Sequence, residues 1–407
     1  MKLKLTRNCT VPTVAIVLVL LAYLHILNYN ILTTRVQPHA EAVAETVEPH
    51  VAPSAPAVDI TLPKSCQYFQ KQAHSPGIRF IGPKGLIENP TKLAKAQSSV
   101  PSRITFLHYN QQFKNPRYLC ALESAARQNR NHSLIMYARN VSDFLNATKE
   151  WRERATETLG PQLTILPLDW AEMFEGTPLQ KWWENETYKQ STWVDQNLGN
   201  AFRLAVLYKH GGVYLDSDII SLNPLGGMGR SVAMQTGPKL MNNAFFSFGK
   251  EDKFVYDMME EFVAGFNGTV WGRNGPRMVE RTYKRHCVAP ATTEKFVPAP
   301  ECDFAIAPPA RFFPISFGGR KKVMQPWKES CSLLNSLAKD SIGVHWWNKG
   351  MKAQDIKTET VLEVLMKHHC PAVVDVFTPG GLGFFDLKSL KKGEKNTWIG
   401  WEENDGF

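Results

Sequence analysis

The sequence predicts an α/β fold with a mostly parallel sheet and flanking helices. Two stretches carry the prediction. Residues 104–108 (ITFLH), 116–129 (PRYLCALESAARQN) and 133–138 (SLIMYA) read as strand, helix and strand. Parallel strands need a crossover of a dozen or more residues between them, usually a helix, so this spacing is that of a βαβ unit. Farther on, residues 195–210 (DQNLGNAFRLAVLYKH) read as an amphipathic helix stopped by Gly211-Gly212. Glycine just past a helix end is the usual stop signal. Val213-Tyr214-Leu215 then forms a short strand that runs into Asp216-Ser217-Asp218.

Each element has its own reason. Residues 104–108 are a short, strongly apolar run of the kind buried on both faces of a parallel sheet. The helix from 116 opens on proline, whose fixed φ suits the first helical position, and continues in good helix formers. Residues 163–168 (LTILPL) supply a further strand. The folded domain is expected over residues 103–371. Residues 372–407 form a C-terminal tail that holds Gly380-Gly381-Leu382-Gly383 and a Lys-rich stretch.

Ahead of the domain, the chain reads as three segments. Lys2, Lys4 and Arg7 mark a cytosolic tail over residues 1–10, and an apolar run follows over 11–32. At ~1.5 Å rise per residue, such a run forms a helix that crosses a ~30 Å hydrocarbon core, with the basic end in the cytosol. A cleaved signal peptide is the rival; its apolar region would be shorter and a small-residue cleavage site would follow. Residues 33–102 form a stem, rich in Ala, Pro, Val and Glu over 36–63 with no period that could pack a face.

This arrangement, a single-pass type II anchor, places the domain in the lumen of the secretory pathway. Five sequons agree with that placement, at Asn131, Asn140, Asn146, Asn185 and Asn267. So do the cysteines beyond the anchor: Cys66, Cys120, Cys287, Cys302, Cys331 and Cys370 are even in number and permit disulfides in any of 15 pairings. No Cys-x-x-Cys pair favours zinc. The net charge of +9 fits an anionic substrate or membrane. No nucleic-acid module or concentrated Lys/Arg run favours nucleic acid.

The chemistry concentrates at Asp216 and Asp218. In an extended chain, residues i and i+2 point the same way, so the two carboxylates share a side. Close together they repel unless a cation sits between them or one is protonated. Carboxylate oxygens suit Mn²⁺ or Mg²⁺, ions that also bind diphosphate oxygens. In open α/β sheets, ligands sit just past the carboxyl ends of strands, where this pair falls. On the other reading, the pair is simply two surface aspartates after a strand.

The segment Asn200-Ala201-Phe202-Arg203-Leu204 and then Tyr208-Lys-His-Gly211-Gly212-Val-Tyr214-Leu-Asp216-Ser-Asp218 resembles the DxD segment of the α1,4-glycosyltransferase family. The likeness runs over residues 104–371. It takes in Cys120-Ala-Leu-Glu-Ser-Ala-Ala-Arg127, Leu166-Pro-Leu-Asp169, Asn242-Asn-Ala-Phe-Phe246, Trp271-Gly-Arg-Asn-Gly275-Pro276, Phe313-Pro-Ile and Val344-His345-Trp-Trp-Asn348-Lys349. Known members include lactosylceramide α1,4-galactosyltransferases and an α1,4-N-acetylglucosaminyltransferase.

The resemblance implies a nucleotide-diphospho-sugar transferase (GT-A-like) fold and transfer from a UDP-sugar with retention at the anomeric carbon. It also implies Golgi residence and a glycolipid or glycan acceptor. Asp216 would face the donor's ribose and sugar, and Asp218 would ligate the metal with His345 as third ligand; the alternative for His345 is a histidine buried among Trp346 and Trp347. His108 and Tyr109, exposed at a strand end, would meet uracil, and Tyr214 would join the donor side. Arg203 would grip donor-sugar hydroxyls rather than stand as a solvated helix charge. Related transferases carry an Asp-x-x-Arg on this helix; here Asn200 replaces that Asp, leaving galactose, N-acetylgalactosamine and N-acetylglucosamine open. Asn242, Asn243 and Trp271 would line the acceptor side, with Trp271 equally able to fill a core. Two further classes stay open: a catalytically silent glycan-binding protein of the same fold and a nucleotide-sugar hydrolase.

Overall fold

The computed structural model describes residues 100–108, 116–226, 228–236, 240–287, 304–351 and 356–377. The expected cytosolic tail and anchor, the stem up to residue 99, Tyr109 and the tail beyond 377 lie outside these residues. Among the described residues, no helix is long and apolar enough to cross a membrane.

The first strands and helix form where the pattern placed them: β1 is Arg103–His108, α1 is Pro116–Gln128, β2 is Ser133–Ala138 and β3 is Leu163–Pro167. Next come α2, Val194–His210, and β4, Gly212–Leu215. The glycine pair between them is required by geometry. Gly211 and Gly212 have φ of +65° and +100°, and a Cβ on Gly212 would lie 2.7 Å from the backbone oxygen of Arg103. The chain reverses tightly enough that only glycine lets β4 lie against β1.

After β4 come β5 (Ile219–Ser221), β6 (Ser231–Thr236), β7 (Leu240–Phe248), α3 (Lys253–Ala264), α4 (Pro276–Cys287), β8 (Ala305–Ala307), β9 (Gly343–His345), α5 (Val361–His369) and α6 (Pro371–Phe377). Seven strands form one sheet in the order β3-β2-β1-β4-β7-β6-β8. β1, β2, β3 and β4 are mutually parallel and β6 is parallel to β8, whereas β7 runs antiparallel to β4 and β6. The expectation of a mostly parallel sheet therefore holds, with one reversed strand. Only residues 237–239 join β6 to β7, and a connection that short makes a hairpin, never a parallel crossover.

Alternation along the strands sends side chains to opposite layers. Ile104, Phe106, Val213 and Leu215 pack into one apolar cluster with the buried face of α1 and with α5 and α6. Leu107, Tyr137 and Tyr214 pack into the other with α2, α3 and α4. Helices thus cover both faces of the sheet.

The packed domain continues past residue 371. Helix α6 buries Ala372, Val373 and Val374. Its first N–H groups, at Ala372 and Val373, donate to the buried Glu123 carboxylate of α1, each at 2.9 Å. A disulfide between Cys120 and Cys370 ties α1 to the residue before α6, across 250 residues of sequence. Cys331 is disulfide-bonded as well.

Candidate metal and donor site

The parallel strands put their carboxyl ends along one edge, and β4 delivers Asp216 there. Beyond it the chain turns, with the Ile219 N–H closing on the Asp216 carbonyl at 3.1 Å. It then enters β5, which leaves the main sheet and pairs antiparallel with β9 in the register Ile219↔His345. That small second sheet brings His345, 127 residues downstream, against Asp218. One ligand atom from each of Asp216, Asp218 and His345 lies within 4.8 Å of the others.

Asp216 is held from two sides. The Arg203 guanidinium lies 3.1 Å from one carboxylate oxygen, and the Tyr214 hydroxyl donates to it at 2.9 Å. The same guanidinium stacks over the Tyr214 ring with Cζ 4.7 Å from its centre. It also donates to the Asn243 carbonyl at 2.5 Å and, through Nε, to the Gly199 carbonyl at 3.1 Å. Arg203 is buried, so it is no solvated helix charge; its Nη1 and Nε donors go to Asp216 and the backbone around it.

Asp218 is set differently. Its carboxylate accepts the Asn348 N–H at 3.0 Å and faces His345 Nε2 at 3.2 Å. Its own carbonyl accepts the Trp346 N–H at 3.1 Å. Burial works against the charge on Asp218, but His345 and the Asn348 N–H outweigh it and hold the carboxyl below its usual range. The His345 ring is oriented from behind, because Nδ1 accepts the Trp347 N–H at 3.2 Å. Trp347 makes this bond from a left-handed backbone, φ +58°, a conformation that a bulky residue keeps only when its surroundings enforce it. Its indole N–H reaches the Ile315 carbonyl at 2.7 Å and its ring lies 4.4 Å from that of His345.

The donor set fits a hard divalent ion. Octahedral coordination at ~2.1 Å spaces ligand atoms by about 3 Å when adjacent and about 4.2 Å when opposite. The observed 4.8 Å limit exceeds the opposite spacing by about 0.6 Å. Both carboxylates present oxygen, the atom such ions prefer. His345 fits only conditionally: a neutral imidazole that ligates through Nε2 carries its proton on Nδ1, where the Trp347 N–H now donates.

Other residues fall into place around this centre. Asn243, on β7, donates through Nδ2 to Asn200 Oδ1 of α2 at 2.6 Å, which puts Asn243 beside Arg203 of the same helix. Asn242 points elsewhere and staples the irregular β6–β7 pairing: its Oδ1 accepts the Ala244 N–H and its Nδ2 reaches Gln235. Trp271 is no core residue, since it is 45% exposed and packs edge-on against Trp193 at 4.8 Å. His108 corrects its expectation. It is buried, not exposed, because it ends β1 in register with Ala138 and packs 5.7 Å from the Phe144 ring. All five sequon asparagines are exposed.

Sequence reasoning missed Tyr118, Asn348 as an Asp218 donor, and Trp347. Tyr118, on α1, meets the Asn348 side chain through its hydroxyl and lies 6.3 Å from the Trp346 ring. Burial, together with the charges of Asp218 and Asp216, raises the pKa of its hydroxyl, Arg117 opposing. The signal was present in the His-Trp-Trp-Asn run, but nothing local tied it to a helix 230 residues earlier.

The comparisons with known proteins agree with this geometry. Residues 115–239 match a glycosyltransferase sugar-binding region containing a DXD motif. Residues 247–377 match an α1,4-glycosyltransferase conserved region. The lactosylceramide 4-alpha-galactosyltransferase of Rattus norvegicus is 30% identical over 287 residues, covering 69% of this chain and 77% of the relative. The chain belongs to the α1,4-glycosyltransferase family. Other relatives of this glycosyltransferase include the Mus musculus lactosylceramide 4-alpha-galactosyltransferase, 29% identical over 69% of this chain and 77% of that one. The α-1,4-N-acetylglucosaminyltransferase of Homo sapiens is 26% identical over 66% of this chain and 78% of its own length. The seven-stranded mixed sheet with helices on both faces is the α/β arrangement expected from the sequence.

Proposed function

We propose that this enzyme transfers a hexose or N-acetylhexosamine, galactose being favoured, from a UDP-sugar in α1,4 linkage with retention. The acceptor is a galactose-ended glycolipid such as lactosylceramide, or a related glycan, and the product serves glycosphingolipid synthesis. The observation that carries this reading is the convergence of Asp216, Asp218 and His345 from two sheets into one cluster. The relatives named for lactosylceramide and for N-acetylglucosamine transfer support the substrate class.

Asp216 and Asp218 hold Mn²⁺ or Mg²⁺, and a bound ion of this kind supplies Lewis-acid stabilisation to a departing diphosphate. Arg203 and Tyr214 aim the Asp216 carboxylate, while Asn348 and His345 fix Asp218. His345, whose Nδ1 now accepts the Trp347 N–H, would be the third residue to hold the ion. Asn200 and Asn243, beside Arg203, meet the donor sugar. The exposed Trp271, with Trp193, offers an aromatic face to the acceptor. The acceptor hydroxyl attacks on the face from which UDP leaves, and the leaving phosphate accepts its proton. The protein is a type II Golgi membrane enzyme with a lumenal domain glycosylated at its exposed sequons; the Cys120–Cys370 disulfide suits that compartment.

Binding of UDP with and without Mn²⁺, and transfer from UDP-galactose to a lactose-ended acceptor, test the reading in wild type and Asp218→Ala. The variant should stay folded and lose both metal-dependent UDP binding and transfer. Unchanged transfer would overturn the metal assignment. Wild-type UDP binding without transfer would favour the silent glycan-binding alternative, and UDP release without a glycosylated product would favour a hydrolase.

A further inference from the structure

A row of carboxamides, three buried and Asn200 half-buried, lies beside the proposed donor site, and its orientation starts from the backbone. Asn274, in the loop before α4, is 1% exposed. Its Oδ1 accepts the Asn267 N–H at 3.0 Å, and its Nδ2 donates to the Asn267 carbonyl at 2.8 Å. A carboxamide has one accepting end and one donating end, so two bonds to a single residue's backbone determine which end is which. The Nδ2 group also donates to Asn197 Oδ1 at 3.1 Å. Asn197 is thereby oriented in turn, with its Nδ2 on Ser191 Oγ at 2.8 Å.

One helical turn on, Asn200 places its Nδ2 3.5 Å from the same Asn197 oxygen. Its Oδ1 is left to accept from Asn243 Nδ2 at 2.6 Å, and the Asn243 carbonyl accepts Arg203. The loop closes tightly over this row. A Cβ on Gly275 would lie 3.1 Å from both polar ends of the Asn243 side chain and 3.2 Å from Asn200 Nδ2.

We propose that Asn274 and Asn197 are positioning residues for the donor sugar. They relay the fixed polarity of the Asn267 backbone to Asn200 and Asn243, and they require a neutral side chain at position 200. An acid there would set a carboxylate oxygen against Asn197 Oδ1, which Asn274 prevents from turning over. This accounts for asparagine at the place where related transferases carry Asp, and it means that the sugar meets an oriented, uncharged amide wall. The inference rests on the donor-binding reading above and extends it to two residues whose hydrogen bonds reach none of Asp216, Asp218 and His345.

The test uses the purified full-length protein with Mn²⁺. UDP and UDP-galactose are titrated separately, by calorimetry, into wild type, Asn200→Asp, Asn274→Ala and the double variant. UDP affinity should stay within about twofold throughout, because the relay does not face the diphosphate. The additional affinity of UDP-galactose over UDP should fall about tenfold in each single variant, the size of one lost hydrogen bond in a dry site. The double variant should lose little more than either single one, because both break the same chain. An intact UDP-galactose advantage in folded Asn200→Asp would overturn the relay, and so would strict additivity in the double variant. Asn200 is half-buried and its exchange is nearly isosteric, so this variant reports even if Asn274→Ala loosens its loop. Failure of wild type to bind UDP at all would instead remove the donor reading, and the relay with it.

Discussion

Asp218 and Glu123 are both acidic side chains withdrawn from water, and their surroundings treat them in opposite ways. Each accepts backbone N–H groups: Asp218 from Asn348, Glu123 from Ala372 and Val373. Asp218 also faces an imidazole, and its carboxyl is held low. Glu123 has the Trp151 indole N–H at 3.1 Å, with no ion pair on its carboxylate among the described residues. Burial therefore wins, and its carboxyl is pushed above the usual range despite the hydrogen bonds and the more distant Arg127. The difference separates chemistry from architecture. A carboxylate kept charged at a strand end is available to a cation, whereas one whose charge is opposed, and whose oxygens are filled by a helix N-terminus and an indole, can only hold the fold.

The largest effect that could break this comparison is at Asp218. Asp218→Asn should lower transfer by on the order of a thousandfold, since several kcal/mol of leaving-group stabilisation is lost with the ion. The melting temperature should move by only a few degrees, and calorimetry with Mn²⁺ and UDP alongside thermal unfolding checks both. A variant that kept its activity would place Asp218 in the same class as Glu123.

The reverse split is expected where α1 meets α6. Replacing Cys370 with Ala removes a crosslink spanning 250 residues and should cost about 2–5 kcal/mol of stability. Transfer per folded molecule, measured below the lowered melting point, should stay within about twofold of wild type, because the crosslink touches none of the site residues.

Much of this contrast was readable in advance on one side only. Strands β1, β2 and β4 and helices α1 and α2 are local patterns, and period and glycine stops suffice to find them. Asp216 and Asp218 were legible because they follow directly on such a strand. His345 stands next to Asp218 only through the β5–β9 register, and a three-residue strand carries no signal of its partner. Glu123 reads as an ordinary helix former within ALESAA; its burial depends on a helix 249 residues away. His108 is buried for a similar reason, since Ala138 of β2 and the Phe144 ring, both distant in sequence, lie against it.

A subtler effect sharpens the comparison through pH. The folded-state pKa of Glu123 is raised, so the native protein binds a proton there more tightly than the unfolded chain. Stability from this group is then fullest at acid pH and declines as pH rises from the ordinary carboxylate range toward the raised value. Glu123→Gln should remove that decline while costing about 1 kcal/mol for the one backbone N–H left facing an amide. Denaturant unfolding of both proteins between pH 4 and 8 should give curves that converge as pH rises. Parallel curves would mean that the three N–H donors keep Glu123 charged after all, as His345 does for Asp218.

The smallest effect concerns a residue that belongs to neither class. Trp271 lies 45% exposed against Trp193, so little apolar area is lost to water when it is shortened. Trp271→Ala should change stability by no more than about 0.5–1 kcal/mol, the range of surface substitutions and of a single aromatic pair. UDP binding should not change, since the ring is not among the contacts of Asp216, Asp218 or Arg203. Its expected signature is a several-fold rise in KM for the lactose-ended acceptor with kcat nearly kept, because stacking on a sugar face contributes equally to the bound acceptor and to its transition state. A fall in kcat with KM unchanged would move Trp271 from the acceptor's approach to the reacting centre, and the line between holding and doing would then pass through the loop that Asn274 anchors.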